Sequence, residues 1–155
     1  KLLRKTVSVL IERYASEGGF THLAIEAHPE TKAAFDYFLK EWSNFKTPEL
    51  RSFLTQRPDV IEKMKTMVPV RLQDWKPSVF ENLNFHDPFQ QLGAILGTAR
   101  INMDEEFYYM LKVAFENGLS IEPIDIYEDV TPQERDSVMA KNVTRLLGKN
   151  TSQAE

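Results

Sequence analysis

The chain has 155 residues, 42% of them hydrophobic, with 10 Phe, 5 Tyr and 2 Trp, which is enough apolar volume for one packed domain and argues against disorder. Its 19 basic and 23 acidic residues leave a net charge of −4 with the bases scattered, so nothing marks a nucleic-acid or anionic-membrane binder, and a small-molecule or protein substrate fits better. The absence of cysteine removes disulfides, thiol nucleophiles and thiolate metal sites, and no apolar run approaches the roughly 20 residues that span a bilayer, so a soluble protein, cytoplasmic or a secreted effector, is expected.

Leu3, Val7, Leu10, Ile11 and Tyr14 recur at helical spacing and Gly18-Gly19 follows them, which predicts an amphipathic helix over residues 2–17. The chain starts inside this pattern, so a preceding segment is expected. Phe20 to Ala27 then reads as a strand: period-two alternation puts Leu23 and Ile25 on one face and His22, Ala24 and Glu26 on the other, with His28 continuing the second row. Pro29 ends it and opens a helix whose apolar side is expected at Ala33, Ala34, Tyr37, Phe38 and Leu39.

From about Ser43 to Met103 five prolines break the pattern into short bursts. Leu50, Phe53 and Leu54, then Val60, Ile61, Met64 and Met67, predict two short helices divided at Arg57-Pro58. Val68 to Leu72 is a candidate for an extra strand. Trp75, Phe80, Phe85 and Phe89 suggest a packed loop, read as core or as a substrate lid, and Gln90 to Thr98 suggests a further helix. His86-Asp87 is taken as structure, Asp87-Pro88 being a good helix start.

Regularity returns with Asp104 as an N-cap, Glu105 and Glu106 suited to a helix N-terminus, and Phe107, Leu111, Ala114 and Phe115 as the buried stripe, closed by Gly118. Leu119 to Ile126 is the second strand. Thr131-Pro132-Gln133-Glu134 is a capping box, and the last helix is expected to end near Leu147 with Gly148 as terminator and a frayed tail over 149–155. Two helix, strand, helix units imply parallel strands with crossovers. The expected fold class is therefore α/β: a partial parallel sheet with crossover helices, one domain or a fragment of one, and a largely helical insertion at about 43–103 covering the site.

In such sheets ligands gather at the carboxyl ends of strands, where Glu26 and Asp125 both fall. Same-face neighbours on a strand lie about 7 Å apart, so Glu26 and His28 could address one ligand or ion, and a metal set of His22, Glu26 and His28 is one reading. The alternative is that Glu26 caps the next helix and the histidines are ordinary packed or surface residues. Asp125 either faces the site or holds the following loop. Arg135, Met139 and Asn142 share a helix face, and an arginine near a helix N-terminus points to a partner such as Glu26, Asp125 or an anionic ligand. Gly-rich phosphate loops, nucleophile elbows and His-Glu-x-x-His helices do not occur, which removes support for nucleotide hydrolysis, serine hydrolysis and zincin chemistry.

Three segments carry a family resemblance. THLAIEAH resembles the second strand, with its terminal glutamate, of a superfamily that groups Tiki-type metalloproteases, erythromycin-esterase-like proteins, ChaN-like haem-uptake lipoproteins and related bacterial toxin catalytic domains. AFENGLSIEPIDI is similar to a later helix-to-strand segment of that group, and RDSVMAKNV resembles its Arg-Asp-x-x-Met-Ala-x-Asn helix start. The resemblance implies a hydrolase of peptide or ester bonds, and the expected catalytic groups are Glu26 as base or metal ligand, His28 as a supporting group or ligand and Arg135 stabilising developing negative charge, with Asp125 and Asn142 as ligand-binding residues. The cofactor is left open between a divalent metal, most of whose ligands would come from outside the chain, and haem. The group's opening Gly-Glu-x-His-like strand end and closing glycine and histidine motif are not found in the chain, so the rest of the site is expected from outside it. The competing readings are a non-catalytic haem- or protein-binding module, with His86 and Tyr108 as available iron ligands, and a purely structural interaction domain.

Overall fold

The computed structural model describes residues 2–70, 87–96, 105–125 and 130–152. In chain order it contains α1 (Leu2–Ser16), β1 (His22–Ile25), a short 3-10 turn (Pro29–Thr31), α2 (Lys32–Asn44), α3 (Leu50–Gln56), α4 (Pro58–Met67), α5 (Pro88–Ile95), α6 (Glu105–Glu116), β2 (Ser120–Pro123) and α7 (Pro132–Ser152). The fold is α/β: mostly helical around a two-stranded parallel sheet. His22 pairs with Ser120 and Ile25 with Pro123. No described helix is long and apolar enough to cross a membrane.

Both strands begin the same way. The chain leaves α1 and α6 through glycines in the left-handed region, Gly18 at φ 76° and Gly118 at φ 83°, a conformation that other residues adopt only with strain. The Gly118 and Leu119 amides donate to the Phe115 and Ala114 carbonyls at 3.0 Å, closing the last turn of α6 and aiming the chain into β2. Both strands are shorter than the sequence suggests. Regular pairing stops at Ile25 and Pro123, where β1 bends and the Ala27 amide turns back to the Ile25 carbonyl.

The core is aromatic. Phe38 stacks on Trp42 at 5.7 Å between ring centroids and meets the edge of Tyr108 at 6.1 Å, while Phe53 lies 6.2 Å from Phe38 and 6.4 Å from Trp42. These four side chains come from α2, α3 and α6 and are all buried. The described helices of the expected insertion thus contribute to the core. Its helices α3, α4 and α5 pack on one another, α4 lies against α2, and α3 touches α6. Trp75, Phe80, Phe85, His86 and Asp104, with any strand reaching Leu72 and any cover those residues give the site, lie outside the described residues.

Several buried faces differ from the sequence reading. On α2 the buried side is Ala34, Phe35, Phe38, Leu39 and Trp42, whereas Ala33 is exposed. On α1 the inward row is Ser8 and Ile11, and Leu10 and Tyr14 remain 39% and 42% exposed. Helix α1 lies along α6 and touches no second layer strongly, so only a narrow stripe of it is covered. The capping box forms in full: the Glu134 carboxylate accepts from the Thr131 amide at 2.7 Å, and the Thr131 hydroxyl accepts from the Glu134 amide. Gly148 does not terminate α7, which continues to Ser152; a single glycine weakens a helix without obliging it to stop.

Two measurements probe this framework. Phe38→Ala removes a side chain shared by three helices and is expected to lower unfolding free energy by about 3–5 kcal/mol in denaturant titrations. The hydrogen bonds from Thr131 hold the Glu134 carboxyl below its ordinary range, so its contribution is present at neutral pH and disappears as pH falls through that lowered value. The melting temperature of wild-type protein should therefore exceed that of Glu134→Gln at pH 7, and the difference should close under acid conditions.

Candidate functional site

The strand ends converge on one guanidinium. Beyond the last paired residues, the Ile124 amide donates to the Ile25 carbonyl at 3.0 Å and the Asp125 amide to the Ala27 carbonyl at 2.9 Å. These bonds carry the two chains side by side past the sheet and bring Asp125 beside Glu26. Asp125 is fully buried. Arg135, in the first turn of α7, grips it in a fork: Nε donates to Oδ1 at 2.7 Å and a terminal nitrogen donates to Oδ2. The same terminal nitrogen lies 3.5 Å from Glu26 Oε2. One positive charge therefore answers two carboxylates.

Further down the same face of α7, the Asn142 side-chain amide donates to the Ile124 carbonyl at 3.0 Å. Arg135 and Asn142 thus anchor the helix to the end of β2, seven residues apart as the helical repeat requires. The capping box places this face correctly, because Thr131 and Glu134 fix where α7 begins. Four of the residues singled out from sequence, Glu26, Asp125, Arg135 and Asn142, form one cluster. Glu26 keeps 53% of its side chain exposed, Arg135 keeps 36%, and Asp125 has none.

His28 departs from the expected row. The chain bends after Ile25, with the Ala27 amide donating to the Ile25 carbonyl, and the alternation of exposed and buried side chains that runs through Glu26 and Ala27 breaks at His28, which turns inward to 5% exposure. Its Nδ1 accepts from the Glu30 amide at 3.2 Å, capping the 3-10 turn, and its carbonyl accepts from the Thr31 hydroxyl at 2.6 Å. An Nδ1 that accepts leaves the proton of the neutral ring on Nε2. His22 bonds the Thr21 hydroxyl through Nδ1. The trio His22, Glu26 and His28 is therefore not a metal set, and among the described residues no three His, Asp or Glu side chains come together in a way that could hold an ion. Tyr108, weighed as an iron ligand, is a core residue wedged between Phe38, Phe89 and Phe107.

A second polar group was not foreseen from the sequence. Lys32 Nζ donates to Asp36, to the Ser120 hydroxyl at 3.1 Å and to the Ile121 carbonyl at 3.0 Å, while Ser120 donates to Glu122 at 2.7 Å. All three ammonium donors are engaged, so Lys32 clamps α2 onto β2 and is not a free base. The i,i+4 spacing of Lys32 and Asp36 was legible; the contact with β2 required the tertiary fold.

The cluster at the strand ends gives a ranked expectation. Arg135→Ala leaves a buried carboxylate without its main partner and should destabilise the protein by about 2–4 kcal/mol, whereas Glu26→Ala removes an exposed, longer contact and should cost less than about 1 kcal/mol in the same denaturant titration. Comparable losses for the two would mean that the pairs are energetically equivalent. No family profile, curated protein or solved structure matches this chain.

Proposed function

We propose that the carboxyl ends of β1 and β2 form the substrate site of a hydrolase acting on peptide or ester bonds, of the Tiki, erythromycin-esterase and ChaN kind, with Glu26 as the reactive carboxylate. The observation that carries this reading is the asymmetry of two acids on one guanidinium: Asp125 is enclosed and gripped by both arms of the fork, while Glu26 stands half exposed at the strand end. Glu26 is not needed to neutralise Arg135, which Asp125 already does at shorter range. What Glu26 gains from the contact is orientation.

In this role Glu26 takes the proton of an attacking water, and Arg135 positions Glu26 and lends positive charge to the oxygen that becomes negative. Asp125 and Asn142 fix Arg135 and α7 without touching substrate. His28 fixes the turn that carries Glu26. A divalent metal is implied by the family resemblance, but the described residues do not fit one: the charged neighbour of Glu26 is a guanidinium, and the ring nitrogen Nδ1 of His28 is occupied by a backbone amide.

The test is hydrolysis of a panel of p-nitrophenyl esters and fluorogenic peptides. Glu26→Gln is expected to lower kcat/KM by at least about 100-fold while leaving the melting temperature within about 2 °C of wild type, since the side chain is largely solvated. A fully active Glu26→Gln protein sinks the assignment of this residue. Wild-type protein inert across the panel sinks hydrolysis and returns the reading to a non-catalytic binding module.

A further inference from the structure

The sheet has two outer edges, and the fold treats them differently. The Ser120 amide donates to the Thr21 carbonyl and the Ile124 amide to the Ile25 carbonyl, so with the observed register Thr21, Leu23 and Ile25 turn their backbone groups toward β2. His22 and Ala24 therefore turn theirs away from it. By the same alternation Ile121 and Pro123 present the outer edge of β2.

The β2 edge is closed. Its Ile121 carbonyl is taken by Lys32 Nζ at 3.0 Å, and Pro123 has no amide to offer. The β1 edge has no such protection. Among the described residues the amides and carbonyls of His22 and Ala24 find no hydrogen-bond partner, Ala24 is exposed, and β2 alone of the described elements packs substantially on β1. Phe20, just ahead of β1, is 55% exposed and rests against Tyr14 with 5.1 Å between ring centroids; Tyr14 and Leu10, one turn apart on α1, are also exposed. Open strand edges are ordinarily blocked by proline, charge or a covering element, and this one is bordered by aromatic surface instead.

We propose that this edge pairs two copies of the chain, β1 against β1, antiparallel about a two-fold axis at Ala24, giving a four-stranded sheet in the order β2, β1, β1, β2. The order of side chains along the edge argues for a second copy as the occupant. Pairing at Ala24 sets Leu23 against Ile25 of the second copy on one face and His22 against its Glu26 on the other, and the symmetry makes each match twice. Ala24 is small where identical side chains meet, and its amide and carbonyl exchange two bonds with those of its counterpart. With His22 Nδ1 accepting from the Thr21 hydroxyl, the ring proton sits on Nε2, where the half-exposed Glu26 carboxylate of the second copy can accept it. The closed β2 edge stops the assembly at two copies. The pairing is independent of any activity at Glu26.

Sedimentation velocity of the intact chain over about 5 to 500 µM tests the pairing. The expected result is a monomer to dimer equilibrium reaching twice the 18.0 kDa of one chain, with a dissociation constant below about 100 µM. Ala24→Lys sets two ammonium groups against each other at the axis and should weaken the dimer at least about tenfold. Because the Ala24 side chain is exposed, the melting temperature of this variant in dilute solution should stay within about 2 °C of wild type. The chain has no cysteine, so Ala24→Cys supplies a single thiol within disulfide reach of its counterpart; mild oxidation should link two chains, whereas Ser137→Cys, exposed on α7, should stay unlinked. The cysteine variant decides the matter if the lysine variant does not fold. The proposal is overturned by a chain that remains monomeric at about 500 µM, by a dimer of unchanged affinity in folded Ala24→Lys, by Ala24→Cys linking no faster than Ser137→Cys, or by growth beyond two copies.

Discussion

The pairing of β1 with β2 is the constraint that the rest of the molecule serves. A parallel ladder of four residues per strand has little strength of its own, and its partners, residues 22–25 and 120–123, are brought together only after the intervening chain has closed a long loop. Three devices supply what the ladder lacks. Gly18 and Gly118 turn the chain from antecedent helix to strand at matching places; Lys32 ties α2 to the Ser120 hydroxyl and Ile121 carbonyl; and Arg135 with Asn142 ties α7 to the far end of β2. The aromatic junction of Phe38, Trp42, Phe53 and Tyr108 then holds α2 and α6, the two helices that pack on β2, at fixed separation.

The same arrangement generates the polar site. A strand that ends in a parallel sheet leaves its next residues beside those of its neighbour, and here they are acids on both chains. Two adjacent carboxylates need a counter-charge, and the first turn of α7 provides one. Placing that cation at a helix N-terminus runs against the helix dipole, an unfavourable choice that makes sense only with the acids present. Burial divides their roles: Asp125 is sealed by the backbone bonds at Ala27 and Ile25, while Glu26 sits on the bend that follows β1 and stays in solvent.

A cavity beside Trp42 has a different origin. Helix α1 is covered only along the stripe that meets α6, and the large side chains Val9 and Tyr109 overhang a gap that the α2 to α3 connection does not fill. The strand-end cluster is polar and braced by hydrogen bonds, whereas this second place sets apolar side chains beside Glu12, Glu49, Glu105 and Glu106.

Local signals in the sequence determined the order and type of the elements. Proline at the start of α4, α5 and α7, glycine after α1 and α6, and the Thr131 to Glu134 box act within a single turn, so they read correctly without knowledge of the fold. Alternation placed Leu23 and Ile25 inward, and the i, i+7 relation of Arg135 and Asn142 placed them on one face with an acid expected nearby. What alternation could not reveal was where it stops. The bend at Glu26 turned His28 into a capping residue, because backbone bonds between the two chain segments, not side-chain period, set that geometry. Which face of α1 and α2 is buried, and how α3, α4 and α5 pack into the core, were likewise decided by long-range packing: each depends on neighbours that the sequence separates by tens of residues and that only the folded chain brings together.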